Sequence, residues 1–82
     1  LAVDPTDLGA NVTLGQVYLQ LRRFDDALAS YARALALKPD FAEALNNRGA
    51  TFAALGRFDE ALAAYEQALA VRRTALGEAH PS

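Results

Sequence analysis

The 82-residue chain has no cysteine, methionine or tryptophan, and only one histidine and three prolines. Without cysteine there is no disulfide framework, no thiolate metal site and no thiol nucleophile. A strong charge of one sign is lacking too: 8 Lys+Arg against 10 Asp+Glu leave a formal net charge of -2. A dedicated nucleic-acid surface needs a basic excess to displace counterions, so that class of partner is excluded. No apolar run approaches the roughly 20 residues of a membrane-spanning helix. The N-terminus has neither the basic start nor the long apolar stretch of a signal peptide. A cytoplasmic protein without membrane association is therefore expected. The chain begins at Leu1 instead of Met, which reads as a piece cut from a longer protein.

What is abundant is alanine and leucine, 19 and 13 residues, together 32 of 82. These are the best helix formers, and their dominance predicts an all-α chain. A chain of this size buries little core; below about 80 residues a single core rarely supplies more than ~3–5 kcal/mol. Marginal stability follows unless neighbouring structure shares the core.

The chain superposes on itself with a shift of 34, aligning residues 8–41 with 42–75 in thirteen identical pairs. The pairs include Gly15/Gly49, Leu21/Leu55, Arg23/Arg57, Phe24/Phe58, Ala27/Ala61, Tyr31/Tyr65 and Ala34/Ala68. The same register runs backwards, because Leu1-Ala2-Val3-Asp4-Pro5 matches Leu35-Ala36-Leu37-Lys38-Pro39. Three segments are expected: 1–7 as the tail of a preceding repeat, 8–41 as a first full unit and 42–82 as a second. Pro39 to Pro81 spans 42 residues against 34 from Pro5 to Pro39, so the second unit is lengthened by eight. In a helix that adds about 12 Å.

Within each unit the apolar residues recur at intervals of three and four, the spacing of one buried helical face. Leu14, Tyr18 and Leu21 mark one helix and Leu28, Tyr31 and Leu35 the next; Leu45, Gly49, Phe52 and Leu55, then Leu62, Tyr65 and Leu69 repeat them. Helices are expected over roughly Asp7–Leu21, Asp25–Leu37, Phe41–Leu55 and Asp59–Leu76. Pro39 stops one helix, and Asp40 followed by Glu43 reads as a capping box for the next. Gly56 suits a left-handed helix end, with Gly77 ending the last helix. Gly15 and Gly49 lie on the apolar stripe, where a missing Cβ admits close approach of a partner helix bearing Ala27, Ala34, Ala61 and Ala68. Tyr18, Phe24, Tyr31, Phe52, Phe58 and Tyr65 are expected to fill the remaining core, each contributing about 1.5–3 kcal/mol when buried.

This pattern resembles the tetratricopeptide repeat, whose 34-residue signature is a large residue, Leu, Gly, aromatic, Ala, aromatic, Ala and Pro. The first unit offers Asn11, Leu14, Gly15, Tyr18, Ala27, Tyr31, Ala34 and Pro39; the second offers Leu45, Arg48, Gly49, Phe52, Ala61, Tyr65, Ala68 and Arg73. Asn11, Arg48 and Arg73 depart from it, and Arg48 is expected to carry its charge outward over an apolar stem. The lengthened ending is similar to the long repeats of kinesin light chains. The resemblance implies antiparallel helix-turn-helix units stacked as a right-handed α-solenoid.

Chemical sites find no support. His80 has no placed partners, Ser30 and Ser82 lie in no nucleophile elbow, and the carboxylates cluster at helix starts, where capping explains them. Arg22-Arg23 and Arg72-Arg73 read as solvated helix ends. No catalysis, cofactor or metal is expected.

The resemblance instead implies a protein-interaction scaffold, in which the first helix of each unit lines a concave groove for a peptide or partner helix. Its candidate residues are Val12, Thr13, Gln16 and Gln20 in the first unit and Glu43, Asn46, Asn47, Ala50 and Ala54 in the second. Asn47 stands out because an amide offers donors and an acceptor to a peptide backbone. A clamp for a C-terminal carboxylate is not expected, since Val12 and Gln16 stand where the family places Lys and Asn. Two alternatives are an interaction arm of a larger enzyme, such as a glycosyltransferase, and a module that self-associates end to end or by exchanging helices.

Overall fold

The computed structural model describes residues 7–75. Four helices follow in order: α1 (Leu8–Gln20), α2 (Phe24–Leu37), α3 (Ala42–Ala54) and α4 (Phe58–Ala75). No strand occurs among the described residues. α1 packs along α2 and α3 along α4, giving two helical hairpins; α3 also packs on α2, and more briefly on α1, which joins the hairpins. Residues 1–6 of the expected preceding tail, Gly77 and His80 fall outside the described residues.

Each helix end has a local cause. Asp7 is extended, and its carboxylate accepts the Ala10 N–H at 3.0 Å, capping α1. α2 ends where Lys38 turns extended, the conformation that a following proline favours. Asp25 and Asp26 in α2, and Asp59 and Glu60 in α4, put negative charge on the first turn, where the helix dipole is positive. The expected capping box of Asp40 and Glu43 is not formed. Phe41 takes the cap position of α3 with no side-chain cap bond and packs against the core, so apolar burial sets this start.

The two turns inside the hairpins are built alike. In the first, Arg22 N–H donates to Leu19 O and Arg23 N–H to Tyr18 O; in the second, Gly56 N–H donates to Ala53 O and Arg57 N–H to Phe52 O. This pair of bonds is the Schellman closure, which needs a left-handed residue. Gly56 supplies it at φ 78, and Arg22, its partner at the 34-residue shift, adopts φ 62 despite its side chain. Arg23 and Arg57 then fold back over Tyr18 and Phe52, each guanidinium 5.0 Å from the ring centre. The same guanidinium groups bind Asp26 at 2.8 Å and Glu60 at 2.7 Å. These arginines are stitches between paired helices and not merely solvated ends.

The buried centre comprises Val12, Ala27, Tyr31, Ala34 and Ala44, with Leu8, Tyr18, Leu19, Leu35 and Phe41 packed around it. Gly15 and Gly49 admit the rings of Tyr31 and Tyr65, which lie where a Cβ would stand. The expectation that all six rings fill the core fails for Phe58, which is 69% exposed, and for Tyr65, also exposed. Their equivalents Phe24 and Tyr31 are covered because α3 lies on α2; no described helix lies on the outer side of α4.

Candidate functional site

The residues expected to line a binding face belong to α1 and α3, which run side by side at the joint between hairpins. Their helical spacing puts Thr13, Gln16 and Gln20 on one stripe of α1, and Glu43, Asn46, Asn47, Ala50 and Ala54 on α3. Across the seam Gln16 Nε2 donates to Glu43 Oε2 at 3.1 Å, so two of the candidates from different repeats meet directly. Asn47 follows Glu43 by one helical turn. It is half-buried, and its Nδ2 is shielded from solvent with no acceptor among the described residues. Its backbone oxygen takes a second bond, from Thr51 Oγ1 at 2.8 Å.

The other candidates divide by exposure. Asn46 and Ala50 are half-buried, whereas Thr13, Gln20 and Ala54 are exposed. Val12 does not belong to this surface: it is 4% exposed and part of the core with Tyr31, Ala34 and Ala44. The physical reason is angular. Successive helical residues are 100° apart, and the arc open to solvent includes Thr13 but turns Val12 under α2 and α3.

Tyr31 is core, as its spacing implied, and its hydroxyl lies near enough to the candidate Glu43 to feel that carboxylate's charge. Its ring is wholly buried, and its hydroxyl has no hydrogen-bond partner among the described residues. Burial, and secondarily the negative charge of Glu43, push that hydroxyl from 10.0 up to about 12. The signal was available in sequence as a tyrosine, instead of phenylalanine, at a core position.

A separate polar cluster lies between α1 and α2. Asn11 is fully buried; its Nδ2 donates to Asp7 O at 2.9 Å, and its Oδ1 accepts from Arg33 Nε at 3.0 Å. Arg33 Nη2 also donates to Ser30 Oγ at 3.1 Å. At the 34-residue shift these three become Leu45, Gln67 and Ala64, so the second hairpin keeps one polar side chain where the first has three. Leu45 and Gln67 border a cleft of about 480 Å³ together with Leu35, Pro39, Asp40, Arg48 and Val71. Arg48 lies there with its guanidinium 5.4 Å from the Phe52 ring centre. None of the groove candidates lines this cleft.

Among the described residues no group of three or more His, Cys, Asp or Glu converges to hold a metal ion. No helix there is long and apolar enough to cross a membrane. The site offers amide, carboxylate and hydroxyl hydrogen-bonding groups on two neighbouring helices.

A family model described as tetratricopeptide repeat matches residues 12–80. Among solved structures, a crystal structure of MamA superposes with a TM-score of 0.85 at 26% identity, covering 90% of this chain and 43% of the other. MamA MSR-1 gives 0.84 at 25%, covering 88% and 41%, and MamA AMB-1 gives 0.78 at 27%, covering 94% and 39%. The chain thus spans about two fifths of the length of these MamA chains. No curated protein matches it.

Proposed function

The chain belongs to the tetratricopeptide-repeat family, and on that premise we propose that its face formed by α1 and α3 is a groove for an extended peptide. The family and the likeness to MamA make it a protein-interaction scaffold. The finer reading is a non-catalytic cytoplasmic module whose preformed surface presents polar groups to a partner's main chain.

The observation that carries this reading is the Asn47 amide beside the Gln16–Glu43 bridge. A buried donor left without an acceptor costs about 1–3 kcal/mol, and here one lies on the seam between repeats. A peptide carbonyl crossing the seam would accept from Asn47, while Gln16 and Glu43 exchange part of their mutual bond for peptide N–H and C=O groups. The small side chains of Ala50 and Ala54 leave the next turn of α3 open to a partner backbone.

The test is fluorescence polarisation against a library of extended peptides, followed by Asn47→Ala and Gln16→Ala on the best binder. Each lost hydrogen bond is expected to weaken binding by about 3- to 10-fold, with circular dichroism unchanged. Undiminished affinity in both variants would remove the groove assignment.

A further inference from the structure

The strongest unexplained surface is the outer side of α4. Phe58, Leu62, Tyr65 and Leu69 form one stripe at helical spacing, and all four are exposed, Phe58 at 69% and Leu62 at 58%. The stripe is a residue-for-residue copy of Phe24, Leu28, Tyr31 and Leu35 in α2. There Tyr31 is fully buried and the other three are half-buried, because α3 packs on α2. The same side chains are thus covered once and bare once, and the helix that covers them is known.

The side that α3 turns towards the first hairpin includes the buried Ala44 and Thr51, and Leu55 at its end, which shares a cleft with Phe24. The equivalent residues of α1 are Ala10, Val17 and Leu21. Two are identical and the third exchanges threonine for the nearly isosteric, more apolar valine. Val17 is 45% exposed, and Leu21 is exposed as well. The chain therefore carries both halves of the α2–α3 contact a second time, one at each end and each unpartnered among the described residues.

We propose that α1 of one copy docks on the Phe58–Leu62–Tyr65–Leu69 stripe of α4 in a second copy, repeating the α2–α3 contact between molecules. The contact is head to tail, so each addition leaves one free end of each kind and the assembly grows without closing. It buries two apolar faces that are bare among the described residues. Asp7 stands where α3 has Phe41, which removes one apolar contact and makes the intermolecular joint weaker than the internal one. The docking stripe of Ala10, Val17 and Leu21 is distinct from that of Thr13, Gln16 and Gln20. Assembly therefore leaves the groove open and sets successive grooves in line.

Sedimentation velocity on the full chain tests this, with Val17→Glu blocking one end and Leu62→Glu the other. Both positions are exposed, and unchanged circular dichroism would verify folding. The wild-type average mass should climb past twice the 8.8 kDa monomer over about a thousandfold rise in concentration. Each variant alone should stay monomeric, and an equimolar mixture should form a one-to-one dimer, since one supplies a sound α4 stripe and the other a sound α1. A wild type that stays monomeric would overturn the proposal and leave the stripe to a helix of another protein. Self-association of Val17→Glu would overturn it in favour of α4 pairing with α4. A wild-type mass that stops at the dimer and survives both substitutions would overturn it in favour of helix exchange.

Discussion

The ring of Tyr31 lies directly on the backbone of Gly15, so that a methyl group there would come within 2.8 Å of its Cδ1 and Cζ. The contact joins α1 to α2 at the centre of the buried cluster. Gly49 and Tyr65 repeat it, with a methyl group at 2.9 Å from Cδ1 and Cε1.

Gly15→Ala sets two effects against each other. Alanine gains up to about 1 kcal/mol in helix propensity, but forcing the ring away from a fully buried position costs about 1–3 kcal/mol. The net expectation is a loss, read as a Tm lowered by several degrees. Gly49→Ala should lose less, because Tyr65 is exposed and has room to shift.

Tyr31→Phe should leave stability at neutral pH unchanged or higher, because the hydroxyl it removes has no partner among the described residues. It should also alter the alkaline limb. With its pKa raised from 10.0 to about 12, Tyr31 keeps its proton in the folded state over a range where the unfolded chain has released it. The unfolded state then binds fewer protons, so stability falls as pH rises from about 10 to about 12 and is fully present below that window. Urea melts near pH 8 and near pH 11 should show this decline, with a smaller one in Tyr31→Phe.

Arg22→Gly should stabilise the chain. A non-glycine residue in the left-handed region carries a steric penalty of about 1 kcal/mol that glycine avoids. Against this stands the loss of the Arg22 guanidinium packed 5.4 Å from the Phe24 ring centre, about 0.5 kcal/mol at an exposed site. A gain of a few tenths to about 1 kcal/mol is expected. Gly56→Ala, the reverse change at φ 78, should cost about 1 kcal/mol. Thermal melts of the two variants provide opposite signs from one turn geometry.

Asn11→Ala should destabilise by about 1–3 kcal/mol, since it leaves a cavity and takes the acceptor from Arg33 Nε. Arg33→Ala should cost less, because this side chain is exposed. A double-mutant cycle should give a coupling of about 0.5–1.5 kcal/mol between them. Additive losses would show that the Asn11–Arg33 bond contributes nothing to stability.

The repeat period of 34 made most of this architecture legible in advance. The four helices fall within one residue of their expected starts, Gly56 is left-handed as its place in the turn required, and Gly15 and Gly49 admit a close approach, though of the Tyr31 and Tyr65 rings and not of the alanines expected there. Each follows from local chemistry: apolar spacing, a proline, a residue without Cβ. The candidate face was less legible. Gln16 and Glu43 lie 27 residues apart, and no periodicity within either helix announces that they bond. Val12 was misplaced because a valine beside a polar stripe has two plausible faces, and only the packing of α2 and α3 around α1 chooses between them.

By itself the sequence determined an all-α chain of four helices in one repeating register, with its helix stripes, because those depend on residues within about four positions of each other. Tertiary structure alone decided which copy of an identical stripe is core. Phe24 and Phe58 occupy the same place in the repeat, yet Phe24 is half-buried, in a cleft shared with Leu55 at the end of α3, and Phe58 is bare. Burial is a property of what lies opposite a side chain, and a repeat pattern carries the same residues to both places without saying where the neighbour stops.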